Sequence, residues 1–300
     1  MLSPTSRLKP LEEAAGLVPD GARVAFGGFA VYQKPMGFIR ELVRQGRKNL
    51  TVVGSAQSYD VDLLAAAGCL NCVETSYVGL EKYGLARHYR RAVENGDIKV
   101  VDYPEMVSWD RFRASQEGLA FWPVPFLGGN DIVKYNPAIK PFACPITGRS
   151  MHAVPAADVD VVVIHALAAD ERGNVVFPAR RLLPQSNDVL MGRSASKVVV
   201  TVEKIVSNAF IRKHARLVEL PSYKVSAVVE LPYGAHPTPT LGAYLADEKH
   251  YEEYVAASES DEGTAAYLKN YVHLTGGNDA YLETIGAAQL ARLKDMDSLL

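Results

Sequence analysis

The spacing of apolar residues switches repeatedly between two periods along the chain. Phe38–Gln45 places Phe38, Ile39, Leu42 and Val43 at helical intervals, and Leu11–Val18, Asp60–Ala67, Tyr83–Glu94 and Val107–Glu117 also read as helices. Between them lie short, β-rich apolar runs: Arg23–Phe26, Leu50–Val53, Cys72–Val78 and Ile98–Val101. Pro19–Gly21, Gly68 and Asn95-Gly96 stand where turns and helix ends are required. Strand and helix alternate with short connections, which predicts an α/β protein with a mostly parallel sheet flanked by helices.

The rhythm breaks at Trp122–Pro155, which holds Pro123, Pro125, Pro137, Pro141, Pro145 and Pro155 and the pair Gly128-Gly129. No continuous helix accommodates that many prolines. A loop of this length is expected to be functional or to cover a partner. Beyond it, Val159–Ala166 is apolar enough for a central parallel strand. Asn174–Phe177, Lys197–Val202 and Val225–Glu230 read as further strands. Asn187–Ser194, Tyr251–Ser258, Asp261–Tyr271 and Tyr281–Leu293 read as helices. No linker or repeat interrupts the pattern, so residues 1–300 are expected to form one domain with two sub-lobes.

Composition narrows the function classes. The 300 residues are 48% hydrophobic and 22% charged, enough apolar material for a sizeable core. A formal charge of −2 gives no basis for binding nucleic acid or an anionic membrane. No apolar run approaches the length of a membrane span, and Met1–Pro10 has no signal core, so a cytoplasmic protein is expected. Cys69 and Cys72 form a CxxC without a second pair, which is read as structural; no metal site and no permanently bound cofactor are expected.

The candidate chemistry begins at Phe26-Gly27-Gly28-Phe29, glycines at a strand end that let the backbone approach a ligand. The spacing is neither that of a dinucleotide loop nor that of a phosphate loop. Lys34-Pro35, Leu50–Ser55, Leu63–Gly68, Ser76–Gly79, Tyr89–Gly96 and Phe121–Asn130 follow in order. The C-terminal half adds Val154-Pro155, Val159–His165, Asn174, Lys204–Val206 and Pro232–Pro237. Taken together, over nearly the whole chain, this series resembles the alpha subunit of class I coenzyme A transferases, closest to the glutaconate type.

The resemblance implies a reaction and a partner. In that family an enzyme glutamate attacks an acyl-CoA thioester, passes through a mixed anhydride to a glutamyl-CoA thioester, and hands CoA to a second carboxylic acid. CoA thioester is then substrate, not resident cofactor. The nucleophile lies on a homologous beta subunit; the expected assembly is a heterotetramer. Each step creates an oxyanion, for which Gly27 and Gly28 are candidate N–H donors. Phe29, Lys34, Ser55, Gln57, Tyr77, Gly128, Gly129 and Asn130 are candidate acyl or CoA contacts.

Glu94-Asn95-Gly96 looks like the beta-subunit nucleophile motif, but Asn-Gly after a helix is a terminator, and the tripeptide is read as structural. Glu105 is the better catalytic carboxylate, just past the strand Ile98–Val101 at the edge where parallel sheets present ligand-facing residues. More distantly, the chain resembles the alpha subunit of steroid ring-opening CoA hydrolases, which place a working glutamate in the segment of Glu105. The Gly-Gly-Phe turn is the transferase form. A hydrolase using Glu105 and a scaffold subunit without a catalytic residue are the alternatives. His165 is read as a core histidine and His236 as a turn anchor.

Overall fold

A computed structural model describes residues 6–294. In chain order its strands are β1 Arg23–Phe26, β2 Leu50–Val53, β3 Ala56–Gln57, β4 Leu70–Thr75, β5 Tyr77–Val78, β6 Lys99–Asp102 and β7 Phe121–Val124. They continue as β8 Lys140–Ala143, β9 Ser150–Pro155, β10 Val161–Asp170, β11 Val175–Val176, β12 Val198–Val206, β13 Val218–Leu220 and β14 Ala227–Glu230. The helices are α1 Leu11–Ala15, α2 Met36–Arg44, α3 Tyr59–Ala66, α4 Arg87–Glu94, α5 Glu105–Gln116 and α6 Ile132–Tyr135. Then come α7 Leu183–Ser194, α8 Asn208–Lys213, α9 Glu248–Ala257, α10 Asp261–Tyr271, α11 Gly277–Ile285 and α12 Ala287–Arg292.

The central sheet runs parallel in the order β14-β12-β10-β1-β2-β4-β6. β10 is long because it serves two neighbours in succession on one edge. Its first residues pair with β1, and Ala168 and Ala169 pair antiparallel with β11, which extends the sheet to β13. Both faces are covered, so alternate residues enter different cores. Val24, Phe26, Val161 and Val163 pack with α1, α2, α3, α9 and α10. Ala25, Val162 and Ile164 pack on the other face against Phe112 of α5 and Val189 and Met191 of α7. Burial on both faces explains the near-continuous apolar reading of β10. Each valine buried there contributes roughly 1.5–3 kcal/mol.

The α/β class and the parallel sheet are as the pattern predicts, but several elements differ. Trp122–Pro155 is not a bare loop. It builds a three-stranded antiparallel sheet in the order β7-β9-β8, with Pro123 and Pro141 on the outer strands, where a missing N–H breaks no ladder. Its inner side seals a small core of Tyr103, Val107, Val124, Leu127, Ile139 and Val154. The helix expected from Tyr83 begins only at Arg87, because Glu81–Tyr83 forms a separate 3-10 turn and Gly84 turns the chain at φ +113°. The helix expected over Tyr281–Leu293 is split into α11 and α12 by Gly286 at φ +88°, a value outside the helical basin. α7 starts earlier than expected, since Pro184 fits a first helical turn.

Candidate functional site at the carboxyl edge of the sheet

β1, β2, β4 and β6 are neighbours, so the segments leaving their ends converge. They carry Gly27–Phe29, Gly54–Gln57, Ser76–Tyr77 and Tyr103–Glu105. A cleft of about 470 Å³ opens among them, lined by Phe29, Ser76, Tyr77, Asp102, Glu105 and Ile132 among others. Three expected site residues therefore meet at one place: Phe29, Tyr77 and Glu105. Glu105 is the exposed first residue of α5, where the helix dipole favours a carboxylate. Tyr77 is 40% exposed; burial, then the adjacent Glu81 carboxylate, pushes its phenol up.

The glycines have a different part from the one expected. The Gly27 N–H donates to the Val163 carbonyl at 2.8 Å, and the Gly28 N–H donates to Asp188 Oδ1 at 2.5 Å. Neither is presented to the cleft as an oxyanion donor. A Cβ on Gly27 would overlap Asp188 Oδ1 and lie 2.8 Å from Ile164, and Gly28 sits at φ +75° against the Tyr32 carbonyl. Their requirement for glycine is thus steric and conformational. Beyond them, Phe29 and Tyr32 exchange N–H···O bonds of 3.0 and 2.9 Å. Ala30 N–H donates to Ala56 at 3.0 Å, and Gln33 N–H to Pro239 at 3.0 Å. A main-chain-pinned turn therefore holds Phe29 at the cleft wall.

Asp188, on α7, is the residue the sequence did not reveal. It is fully buried, accepts from Gly28 and from Gln33 Nε2 at 3.1 Å, and faces the charge of Lys34. Burial dominates these stabilising contacts and pushes its carboxyl up to about 7. A lone aspartate amid the residues of a helix carries no sequence signal for such a role.

Lys34, Ser55 and Gln57, expected as ligand contacts, are internal instead. Lys34 is fully buried, 3.2 Å from Asp60 Oδ2 and bonded to Gln57. Burial lowers its ammonium, and Asp60 opposes that shift. Ser55 Oγ accepts from the Trp109 indole at 3.0 Å. These groups brace the strand ends from below. Gly128, Gly129 and Asn130 lie exposed after β7, where Asn130 Oδ1 accepts the Ile132 N–H at 2.9 Å and starts α6. Ile132, not these three, lines the cleft.

The remaining candidates have internal partners. Glu94 ends α4 on the surface, paired with Arg90 at 2.7 Å, ahead of Gly96 at φ +82°. His165 is buried between Thr201 and Glu203, at 2.8 and 2.7 Å. His236 is buried between Tyr281 and Asp247. Cys69 and Cys72 are buried thiols that burial pushes up. Among the described residues no cluster of three or more His, Cys, Asp or Glu could hold a metal, and no helix is long and apolar enough to cross a membrane.

A coenzyme A transferase family model matches residues 9–231. The chain belongs to the coenzyme A transferase family. Its relatives include an uncharacterised protein of Archaeoglobus fulgidus, 36% identical over 293 residues; that match covers 96% of this transferase-family chain but 64% of the relative's length. A glutaconate CoA-transferase subunit of Acidaminococcus fermentans is 30% identical, with 98% of this chain and 96% of that one covered. The crystal structure of glutaconate CoA-transferase from the same organism superposes with a TM-score of 0.91 over 96% of both chains. The cholesterol ring-cleaving hydrolase IpdA subunit of Rhodococcus jostii is more distant, 27% identical over 94% of this chain and 96% of that one. This chain of the CoA transferase family thus presents its cleft at the sheet edge, with Phe29 at one wall.

Proposed function

We propose that this chain is the alpha subunit of a heteromeric CoA transferase, working with a homologous beta subunit in a heterotetramer. It moves CoA from an acyl-CoA to a carboxylic acid through a glutamyl-CoA thioester on the partner. One observation carries this reading. The cleft gathers Phe29, Tyr77 and Glu105, yet its carboxylates Glu81, Asp102 and Glu105 stand exposed and the nearby glycine N–H groups are spent inside the chain. Such a cleft can bind and orient, but an acyl transfer also needs an activated nucleophile and oxyanion donors. Both must come from elsewhere.

In the proposed cycle, a glutamate carboxylate of the partner chain attacks the thioester carbonyl. The C–S bond breaks, giving a mixed anhydride and CoA thiolate. The thiolate attacks the enzyme-side carbonyl of the anhydride and releases the first acid as its carboxylate. The acceptor carboxylate then attacks the glutamyl thioester, expelling CoA thiolate and forming a second mixed anhydride; the thiolate attacks the acceptor's acyl carbon and releases the glutamate carboxylate, which closes the cycle. This chain supplies the floor of the acyl site and holds Phe29 and Tyr77 against the thioester. Residues 1–300 act as one domain in this scheme.

A second reading is a CoA-thioester hydrolase with Glu105 as base or nucleophile, favoured by the place of Glu105 at the mouth of the cleft. One experiment separates the two. The chain, assembled with the product of its neighbouring gene, is given acyl-CoA and acetate. The transferase reading expects CoA exchange, an intact-mass increase of CoA less water on the partner alone, and Glu105→Gln turnover within about threefold of wild type. Loss of general-base or nucleophilic action would instead cost about 10²–10⁴-fold. Steady acid release without exchange, together with such a loss, overturns the transferase in favour of the hydrolase.

A further inference from the structure

A larger cleft of about 910 Å³ lies directly beside the first. Phe29 and Glu81 line both, so the two are joined across the edge of the Phe29–Tyr32 turn. We infer that this second cleft is the acyl-chain subsite, and that it selects an uncharged branched or aromatic acyl group over one ending in a second carboxylate. The inference rests on the CoA-transferase reading above.

Size, wall chemistry and charge agree. The volume falls in the range of small-molecule sites, roughly 300–1,000 Å³, which are walled mainly by apolar and aromatic side chains. Here the walls include Tyr32, Tyr83, Leu182, Leu241 and Leu245. They are rigid where it matters. Tyr83 is stacked on the buried Tyr251, with ring centroids 4.2 Å apart and planes 1° from parallel. The Phe29–Tyr32 side is fixed by the main-chain bonds described above.

A terminal carboxylate on the acyl chain would find poor company. Among the described residues lining either cleft, Lys82 is the one cation, and it is paired with Glu248 at the solvent rim. Glu81 adds negative charge at the junction, and Asp102 and Glu105 add it along the first cleft. A carboxylate removed from water without a cation is strongly disfavoured, whereas each buried methylene of a hydrocarbon chain adds to binding. The thioester carbon beside Tyr77 and Glu105 then has its acyl tail pointing past Phe29 into the apolar side.

The test compares phenylacetyl-CoA with glutaryl-CoA on the assembled complex, by calorimetric binding and by exchange with acetate. Phenylacetyl-CoA is expected to bind at least about tenfold more tightly, the scale on which apolar pockets discriminate. Leu182 is 52% exposed, so Leu182→Arg adds a cation at the wall without disturbing a core. It should erase that preference while leaving free CoA affinity unchanged. Lys82→Ala should leave the preference within about twofold. Equal or tighter glutaryl-CoA binding overturns the inference, and so does a Leu182→Arg loss shared by free CoA, which would make the cleft the path of the CoA arm. Absent exchange in the same samples counts against the transferase reading alone, since the binding comparison still decides the acyl preference.

Discussion

At the scale of single residues, Asp188 is under opposed demands. Its two oxygens fix the Gly28 turn and Gln33, while its burial favours the protonated form. The raised value implies that the folded state holds a proton that the unfolded chain releases near pH ~4. The group's relative contribution to stability is therefore fully present below about pH 4 and fades as pH rises through about 7. The melting temperature of wild type minus that of Asp188→Asn should accordingly fall between about pH 4 and 8. A difference that stays flat across that range would remove Asp188 from this role. The first cause is burial, which no single sequence reports, and this is why the residue was illegible. Phe29, Tyr77 and Glu105 were legible because they stand just past strand ends, where a parallel sheet exposes side chains. Ser55 and Gln57 also follow a strand, and Lys34 precedes α2, but the chain folds all three inward, Lys34 with Gln57 against Asp60 and Ser55 against Trp109.

At the scale of elements, the β1 turn depends on absent side chains. Gly27→Ala forces a methyl into Asp188 and Ile164. An overpacked site of this kind is expected to lose about 2–3 kcal/mol, read as an earlier midpoint in chemical denaturation. An unchanged midpoint would show that α7 can retreat freely from β1. Glu74 makes a second tie. It lies on β4 and accepts from Arg23 of β1 at 2.7 Å and from Arg111 of α5 at 2.7 Å. Burial would push its carboxyl up, but the hydrogen bonds and charges of the two arginines outweigh this and hold it below its usual range. Glu74→Gln leaves the buried Arg111 guanidinium short of its counter-charge. A loss of about 3 kcal/mol is expected, growing smaller in acid, because the wild-type contribution is lost as pH falls through the lowered carboxyl value. The strands β1, β2 and β10 were readable from composition alone, since a strand buried on both faces has little choice but apolar residues. The β7-β9-β8 sheet was not, because prolines on its outer strands read as breakers when pairing partners are unknown.

At the scale of the whole molecule, the parallel order of strands brings distant segments to one edge, and the cleft is the result. The proposed reading places the rest of the site on a partner chain. The purified chain by itself should show no measurable CoA exchange, and activity should appear on titration with the partner and saturate at equal stoichiometry. Exchange by the isolated chain would place the nucleophile here after all. Fold class followed from periodicity across the chain, whereas the second cleft is assembled from residues 29–32, 81–83, 182 and 239–248, too far apart in sequence to be connected by spacing.

The turn between the clefts has an implication for how such enzymes diversify. Its shape is fixed by main-chain bonds within Phe29–Tyr32 and to Ala56 and Pro239, bonds that need no particular side chain at Phe29 or Tyr32, although the Phe29 ring lies 6.3 Å from that of Trp109. Tyr32 is 47% exposed and Phe29 only half-buried. A combinatorial library at these two positions should leave most members folded while varying the passage between the clefts, making the wall a place where new substrate ranges arise without rebuilding the scaffold.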